Sequence, residues 1–260
     1  MDPFELMLLV TIIAGAVTGV GALPVFFRTT VSHRLYDSAL GLAGGIMIAA
    51  SIFGLMLPGM DAGSLTAVIT GLLLGGFTLL LANKLLPHIQ ARFGGWTPEG
   101  GASITDLEAA SRVRRAALIG GAIVLHNAPE GLAMGVAFAS GLEEVALMLA
   151  IVIGVQNIPD GFAFAVPLGD TGLSNPRILL YTTFSGLLPQ VAAALFGYGV
   201  VAIATGIFPI AAGFAAGAMI AVVIREMIPA SHGHGYADAA TATFLIGFII
   251  LVIVDVAIEL

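Results

Sequence analysis

Apolar residues in this chain come in long unbroken runs, not in the alternation of a half-buried strand or the stripes of a surface helix. A helix needs about 20 mostly apolar residues to cross the hydrocarbon core of a bilayer. Eight segments reach that length: approximately 4–27, 38–58, 64–87, 116–140, 143–168, 177–202, 207–230 and 239–258. They are numbered spans one to eight below. The connections are short except for 88–115, which holds Gly94-Gly95, Gly100-Gly101 and the polar stretch Thr105-Asp106-Leu107-Glu108. The pattern predicts an all-α integral membrane protein, a single transmembrane domain over 1–260, with one long loop that ends in a short amphipathic helix. The first run follows the acidic start Met1-Asp2-Pro3-Phe4-Glu5 and not a basic one, so it is expected to be a retained span.

The basic residues orient these spans. There are nine: Arg28, Arg34, Lys84, Arg92, Arg112, Arg114, Arg115, Arg177 and Arg225. All fall in or beside the connections one–two, three–four, five–six and seven–eight. The opposite connections and the two ends carry Asp2, Glu5, Asp61, Glu143, Glu144 and Glu259 instead. Lys and Arg favour the cytoplasmic side. Both termini are therefore expected outside and the long loop inside, and an odd number of spans would destroy the split.

Composition excludes a water-soluble fold. The chain is 58% hydrophobic and 10% charged, against roughly 25% charged in soluble domains, with a mean hydropathy of +1.06. Its partner is the lipid bilayer, not a nucleic acid. Thirty-four glycines suit close helix packing in lipid. The absence of cysteine removes disulfides and thiolate metal ligands from consideration.

Two polar motifs interrupt this background. Span four contains His126-Asn127-Ala128-Pro129-Glu130 and span five contains Gln156-Asn157-Ile158-Pro159-Asp160, 30 residues further on. His126 lies 16 residues before the turn near Gly141-Leu142, and Gln156 lies 14 after it. At about 1.5 Å per residue the motifs share one depth near the bilayer centre. An ionisable group there costs at least about 2.5–3.5 kcal/mol on insertion scales. A lone Asn or Gln in a span is ordinarily an interhelical hydrogen bond, and a lone proline a packing kink. The combination is harder to explain by packing. His126 and Glu130 are i and i+4 and share a helix face, and Gln156 and Asp160 repeat the geometry. Pro129 and Pro159 deprive the carbonyls of Leu125 and Val155 of their helical donors, so both helices are expected to bend at the cluster. One imidazole with two carboxylates suits a divalent transition metal, and two carboxylates neutralise its charge. Met47, near the middle of span two, offers a thioether. Near the inner end of span seven, Glu226, His232 and His234 form a candidate exit path. Asp61 and Asp255 lie near the outer ends of spans two and eight and form a candidate entrance.

His126-Asn127-Ala128-Pro129-Glu130-Gly131 and Gln156-Asn157-Ile158-Pro159-Asp160-Gly161, in an eight-span chain, resemble the ZIP (Zrt/Irt-like) family of divalent metal transporters, in a bacterial GufA-like branch. Gly19-Val20-Gly21-Ala22-Leu23-Pro24, Leu57-Pro58, Glu226-Met227-Ile228-Pro229 and Val254-Asp255 extend the likeness along the chain. The resemblance implies a 3+2+3 bundle of inverted repeats. It implies an elevator-type motion in which spans one, four, five and six slide against two, three, seven and eight. It implies a metal site of His126, Glu130, Gln156 and Asp160, with Met47 as an additional ligand. The cargo would be Zn²⁺, with Cd²⁺, Fe²⁺ and Mn²⁺ also tolerated. It further implies a homodimer in the bacterial inner membrane, transport toward the cytoplasm, and no cofactor beyond the transported metal. A second metal position would draw on Asn127 and Asn157. Here the chain departs from the family: Asn157 stands where several relatives have Asp, Asp160 where Glu is usual, and Gly186-Leu187-Leu188-Pro189-Gln190 lacks the span-six carboxylate. One metal per protomer is therefore expected. The long loop, with His88 alone near its start, lacks the histidine cluster common in relatives.

An enzyme fits poorly. A zinc protease motif would be H-E-x-x-H, and the spacing here is H-x-x-x-E with no second histidine nearby. An aspartyl pair would need two deep aspartates, whereas Asp37 and Asp170 fall at span ends. The remaining alternative is a transporter of another solute that uses the His/carboxylate cluster as a proton relay.

Overall fold

The computed structural model describes residues 1–27, 32–93, 125–169 and 172–259. Among them, seven helices are long and apolar enough to cross a membrane: Pro3–Phe27, His33–Asp61, Leu65–Leu85, Glu143–Gly169, Asn175–Ile203, Thr205–Ser231 and Ala237–Ala257. These are spans one, two, three, five, six, seven and eight. The described part of span four is the helix 125–139. The first residues of that span, 116–124, and residues 94–115 of the long loop, where a short amphipathic helix is expected, lie outside the described residues.

Local chemistry explains where several helices begin. Asp2 caps span one: its Oδ1 accepts from the Glu5 N–H at 2.8 Å, and the Glu5 carboxylate accepts from the Asp2 N–H at 3.3 Å. Pro3 follows at the first helical position, where a missing N–H costs nothing. Span two starts at His33, not at residue 38, because the Ser32 hydroxyl accepts from the Leu35 N–H at 3.3 Å and caps the helix early. Asp37 is thereby drawn inside a helix. Span three continues as helix to Phe93, past the expected start of the long loop at 88. Its 29 residues exceed what a bilayer core of about 30 Å requires, so its end extends beyond the apolar layer. Gly141, at φ 83°, makes the tight turn between spans four and five.

The helices interrupt their own geometry in three places. Span one tightens to a 3₁₀ segment over Thr18–Ala22. Spans two and seven widen to π segments over Ala50–Met56 and Val223–Met227, each followed at once by a proline at the second position of the next helix, Pro58 and Pro229. A proline ring clashes with the carbonyl four residues back and supplies no N–H. A wider turn just before it absorbs both effects, and such π turns concentrate at functional sites. Span five, by contrast, runs as one helix from Glu143 to Gly169 through both Pro159 and Pro167.

Packing divides the spans into close-fitting sets. Spans three and seven pack along their lengths, as do two and eight. Span one lies against five and six, and span four against six. Backbone contact through glycine makes this possible: a Cβ on Gly161 would strike the Thr18 carbonyl oxygen, and one on Gly131 the Gln190 carbonyl oxygen. Spans two, five and seven form the interior, while three and eight mostly face outward. The outward faces carry large apolar side chains such as Phe77, Phe196 and Ile253, as a lipid solvent requires.

Candidate intramembrane metal site

The two motifs meet. His126 and Glu130 on span four and Asp160 on span five bring one ligand atom each to within 4.8 Å of one another. Glu130 and Gln156 are fully buried, and Asp160 is nearly so. His126 Nε2 stands 4.0 Å from Asp160 Oδ1, too far for a hydrogen bond. The Gln156 amide nitrogen donates to Glu130 Oε1 and holds that carboxylate in place. Glu130 Oε2, both Asp160 carboxylate oxygens, Gln156 Oε1 and His126 Nε2 are buried without a hydrogen-bond partner. Buried polar atoms are nearly always paired. Five unpaired ones around one point, four of them oxygens, form a donor set suited to a cation.

Span seven adds a residue to this cluster. Glu226 Oε2 lies 3.7 Å from His126 Nδ1, and Asn83 of span three donates its Nδ2–H to Glu226 Oε1 at 2.7 Å. The π segment Val223–Met227 carries Glu226 at this point. Sequence spacing groups Glu226 with His232 and His234, and the structure separates them. His232 folds back on the end of its own span, with Nδ1 2.9 Å from the Ile228 carbonyl oxygen and 3.0 Å from Ser231 Oγ. His234 reaches Asp37 of span two, Nδ1 to Oδ1 at 2.8 Å. Asn83 and Asp37 are absent from the sequence-derived site. For Asn83 the available signal was a polar residue in an otherwise apolar run, weak by itself, and Asp37 falls just before the apolar run of span two.

The other candidates also separate. Met47 is fully buried in the core of span two. Asn127 is buried and borders a cavity beside His126. Asn157 turns away from it: its Nδ2 donates to the Ala14 carbonyl oxygen of span one at 2.8 Å and to Gln190 Oε1 of span six at 2.9 Å. Gln190 Nε2 in turn approaches Met134 Sδ of span four at 3.4 Å. This amide network joins spans one, four, five and six. Asp61, exposed, and Asp255, half-buried, lie toward the same end of the parallel pair formed by spans two and eight, opposite His33 and His234.

A cavity of about 440 Å³ starts at His126, Asp160 and Glu226 and extends past Tyr36, Pro167 and Ala230. These last residues lie toward the end that bears the one–two and seven–eight connections. A bundle of apolar helices enclosing a buried acid–imidazole cluster, which a cavity joins to one end, defines a multi-pass membrane transporter for a charged solute. Known proteins agree. The family described as ZIP zinc transporter matches residues 100–255. The chain is 34% identical over 259 residues to zinc transporter GufA of Myxococcus xanthus, covering 96% of this chain and 98% of that protein. It is 38% identical over 252 residues to zinc transporter ZIPB of Bordetella bronchiseptica, covering 93% and 78%. It is 31% identical over 329 aligned positions to human zinc transporter ZIP11, covering 96% of each. The chain belongs to the ZIP family, whose members are transporters and not enzymes.

Proposed function

We propose that this protein carries divalent transition-metal cations, Zn²⁺ foremost and Cd²⁺, Fe²⁺ and Mn²⁺ in addition, across the bacterial inner membrane into the cytoplasm. The observation that supports this reading best is the buried set His126, Glu130 and Asp160, with its unpaired oxygens and Gln156 alongside. Neutral imidazole and carboxylates are ordinary ligands of Zn²⁺. Glu130 and Asp160 neutralise the ion, His126 supplies nitrogen, and Gln156 supplies Oε1 while its nitrogen orients Glu130. Met47 is the reserve ligand from span two. The centre holds one metal, because Asn157 and Gln190 hold each other. Asn127 borders the cavity without an adjoining acid from span six.

The division of the spans supports alternating access as the mode of transport. His126, Glu130 and Asp160 ride on the set joined to span one, while Glu226 and Asn83 belong to spans seven and three. Sliding of one set past the other brings the loaded site to the outer end, near Asp61 and Asp255, or to the inner end, where Glu226 takes over the ion. The basic connections then face the cytoplasm and both termini the opposite side. The test is Zn²⁺ uptake into proteoliposomes by the intact chain and by His126→Ala and Glu130→Ala. Loss of uptake in both is expected. Undiminished flux in both variants would overturn the site. Two metals per chain, both lost together in His126→Ala, would overturn the single-metal centre.

A further inference from the structure

Arg225 sits inside span seven, about 9 Å before the end of that span at Ser231, and it is exposed. The central site gives it no role. Glu226, the adjacent acid, turns inward, with Oε1 on Asn83 Nδ2 at 2.7 Å and Oε2 3.7 Å from His126 Nδ1. Among the described residues no acid forms an ion pair with Arg225. A charged side chain within a span is costly unless it is paired or reaches the headgroup layer. Arg225 therefore calls for an anion from outside the bundle.

An apolar groove leads to this cation. It lies between spans three and seven, has a volume of about 350 Å³, and is lined by apolar residues except for Arg225 at one end. The two spans meet there through glycine: a Cβ on Gly76 would lie 3.5 Å from the Gly217 carbonyl oxygen. Leu73, Phe77 and Leu80 line the groove from one face of span three and are exposed. Lys84 continues their row by one further turn. It is exposed too, and the bond between Asn83 and Glu226 sets it level with Arg225. The groove is thus apolar along its length and basic at one end.

We propose that this groove holds an acyl chain of one anionic phospholipid, whose headgroup phosphate pairs with Arg225 and lies beside Lys84 in the leaflet at the basic end of the bundle. A guanidinium presents a fork of donors that fits phosphate oxygens, and basic pockets between spans recruit anionic headgroups. A second copy of the chain fits the groove less well. Spans three and seven carry a single acid, Glu226, which is already engaged. A two-fold contact about the membrane normal keeps every residue at its depth, so it would set basic end against basic end and offer Arg225 no counter-ion. The lipid site does not depend on which solute the central site carries.

The test uses the full chain, stripped of lipid in detergent and titrated with phosphatidylglycerol or with phosphatidylcholine of the same acyl chains, with bound lipid counted by native mass spectrometry. Wild type should retain phosphatidylglycerol roughly fivefold more tightly than phosphatidylcholine, as one basic side chain facing one added negative charge implies. Arg225→Gln should remove that preference. Gly76→Leu fills the groove, meets no backbone closer than ordinary contact at its Cβ, and should abolish retention of both lipids. Melting curves establish that each variant is folded, and Gly76→Leu carries the test if Arg225→Gln is not. Equal retention of the two lipids by wild type, or a preference unchanged in both variants, would overturn the proposal. Glycerol phosphate binding as tightly as phosphatidylglycerol would make this a site for a free phosphate and overturn it. A dimer that dissociates on Gly76→Leu with phosphatidylglycerol retention intact would assign the groove to a second copy and overturn it as well.

Discussion

Asp160→Asn removes one charge from the buried cluster and keeps the shape of the side chain, so it separates a metal site from a structural hydrogen-bond network by sign. The ligand oxygens of Glu130 and Asp160 lie within 4.8 Å of each other. Two unit charges at that distance repel by about 3.5 kcal/mol at an effective dielectric of about 20. His126, 4.0 Å from Asp160, offsets part of this when it is protonated. If only about 1 kcal/mol of the repulsion survives, its removal raises the melting temperature of the metal-free protein by roughly 2–4 °C. Zinc binding changes in the opposite direction. Losing a residue that merely supports a ligand costs 10–100-fold in affinity, so losing a ligating carboxylate should cost more than about 100-fold. The assay is thermal unfolding of the full chain in detergent, followed by circular dichroism with a chelator and then with excess Zn²⁺, together with calorimetric Zn²⁺ titration. Wild type should gain stability from Zn²⁺ by mass action. The variant should start higher and gain little. A variant that melts lower without metal and still binds Zn²⁺ tightly would refute the assignment, because Asp160 would then be a structural acceptor.

Glu226→Gln keeps the bond from Asn83 and removes the charge beside His126. Uptake should slow severalfold while equilibrium Zn²⁺ affinity of the central site changes by less than tenfold, which paired flux and calorimetric measurements would resolve. Zn²⁺ affinity should fall as pH is lowered from about 7.5 to 5.5, because His126 binds metal only as neutral imidazole and the acids only as carboxylates. Calorimetry in buffers of different ionisation enthalpy should detect the released protons. Gly161→Ala places a methyl group against the Thr18 carbonyl oxygen and should lower both stability and uptake. Gly199→Ala meets nothing within 4 Å and should leave both unchanged or raise stability by about 0.5–1 kcal/mol, as melting curves would show.

The span count and the convergence of the two motifs are legible in the sequence because both rest on local periodicity. A run of apolar residues states its own length, and an i, i+4 pair states its own face. Adjacent spans joined by a short turn must also lie side by side. The contact between His126 and Glu226 has no such local basis. It joins residues far apart in the chain and depends on a π segment that shifts the facing of every residue after it. Asn83 is hidden for the same reason. Asp37 falls before span two in a hydropathy reading, yet the Ser32 cap starts the helix at His33 and places Asp37 a full turn inside. A side chain read at the end of a span thus becomes a buried carboxylate. The bends expected at Pro129 and Pro159 follow from the missing N–H, but span five accommodates Pro159 without a break in its helix.

The polar residues beside the central site argue for its valence. A second divalent cation next to the first would need further negative charge, since like charges in a low dielectric repel strongly. The positions that could supply it hold Asn157 and Gln190, and their amides are already used. Asn157 donates to Ala14 and Gln190, and Gln190 faces Met134. Changing Asn157 to Asp would leave the Ala14 carbonyl facing a carboxylate with no hydrogen to share, an unpaired buried group that costs about 1–3 kcal/mol. The neutral network therefore does two things at once. It ties span one to spans four, five and six, the set that carries the cluster. It also keeps the formal charge beside His126 at the two carboxylates that one divalent ion balances. Glu226, the third acid, comes from span seven, outside the set that this network joins.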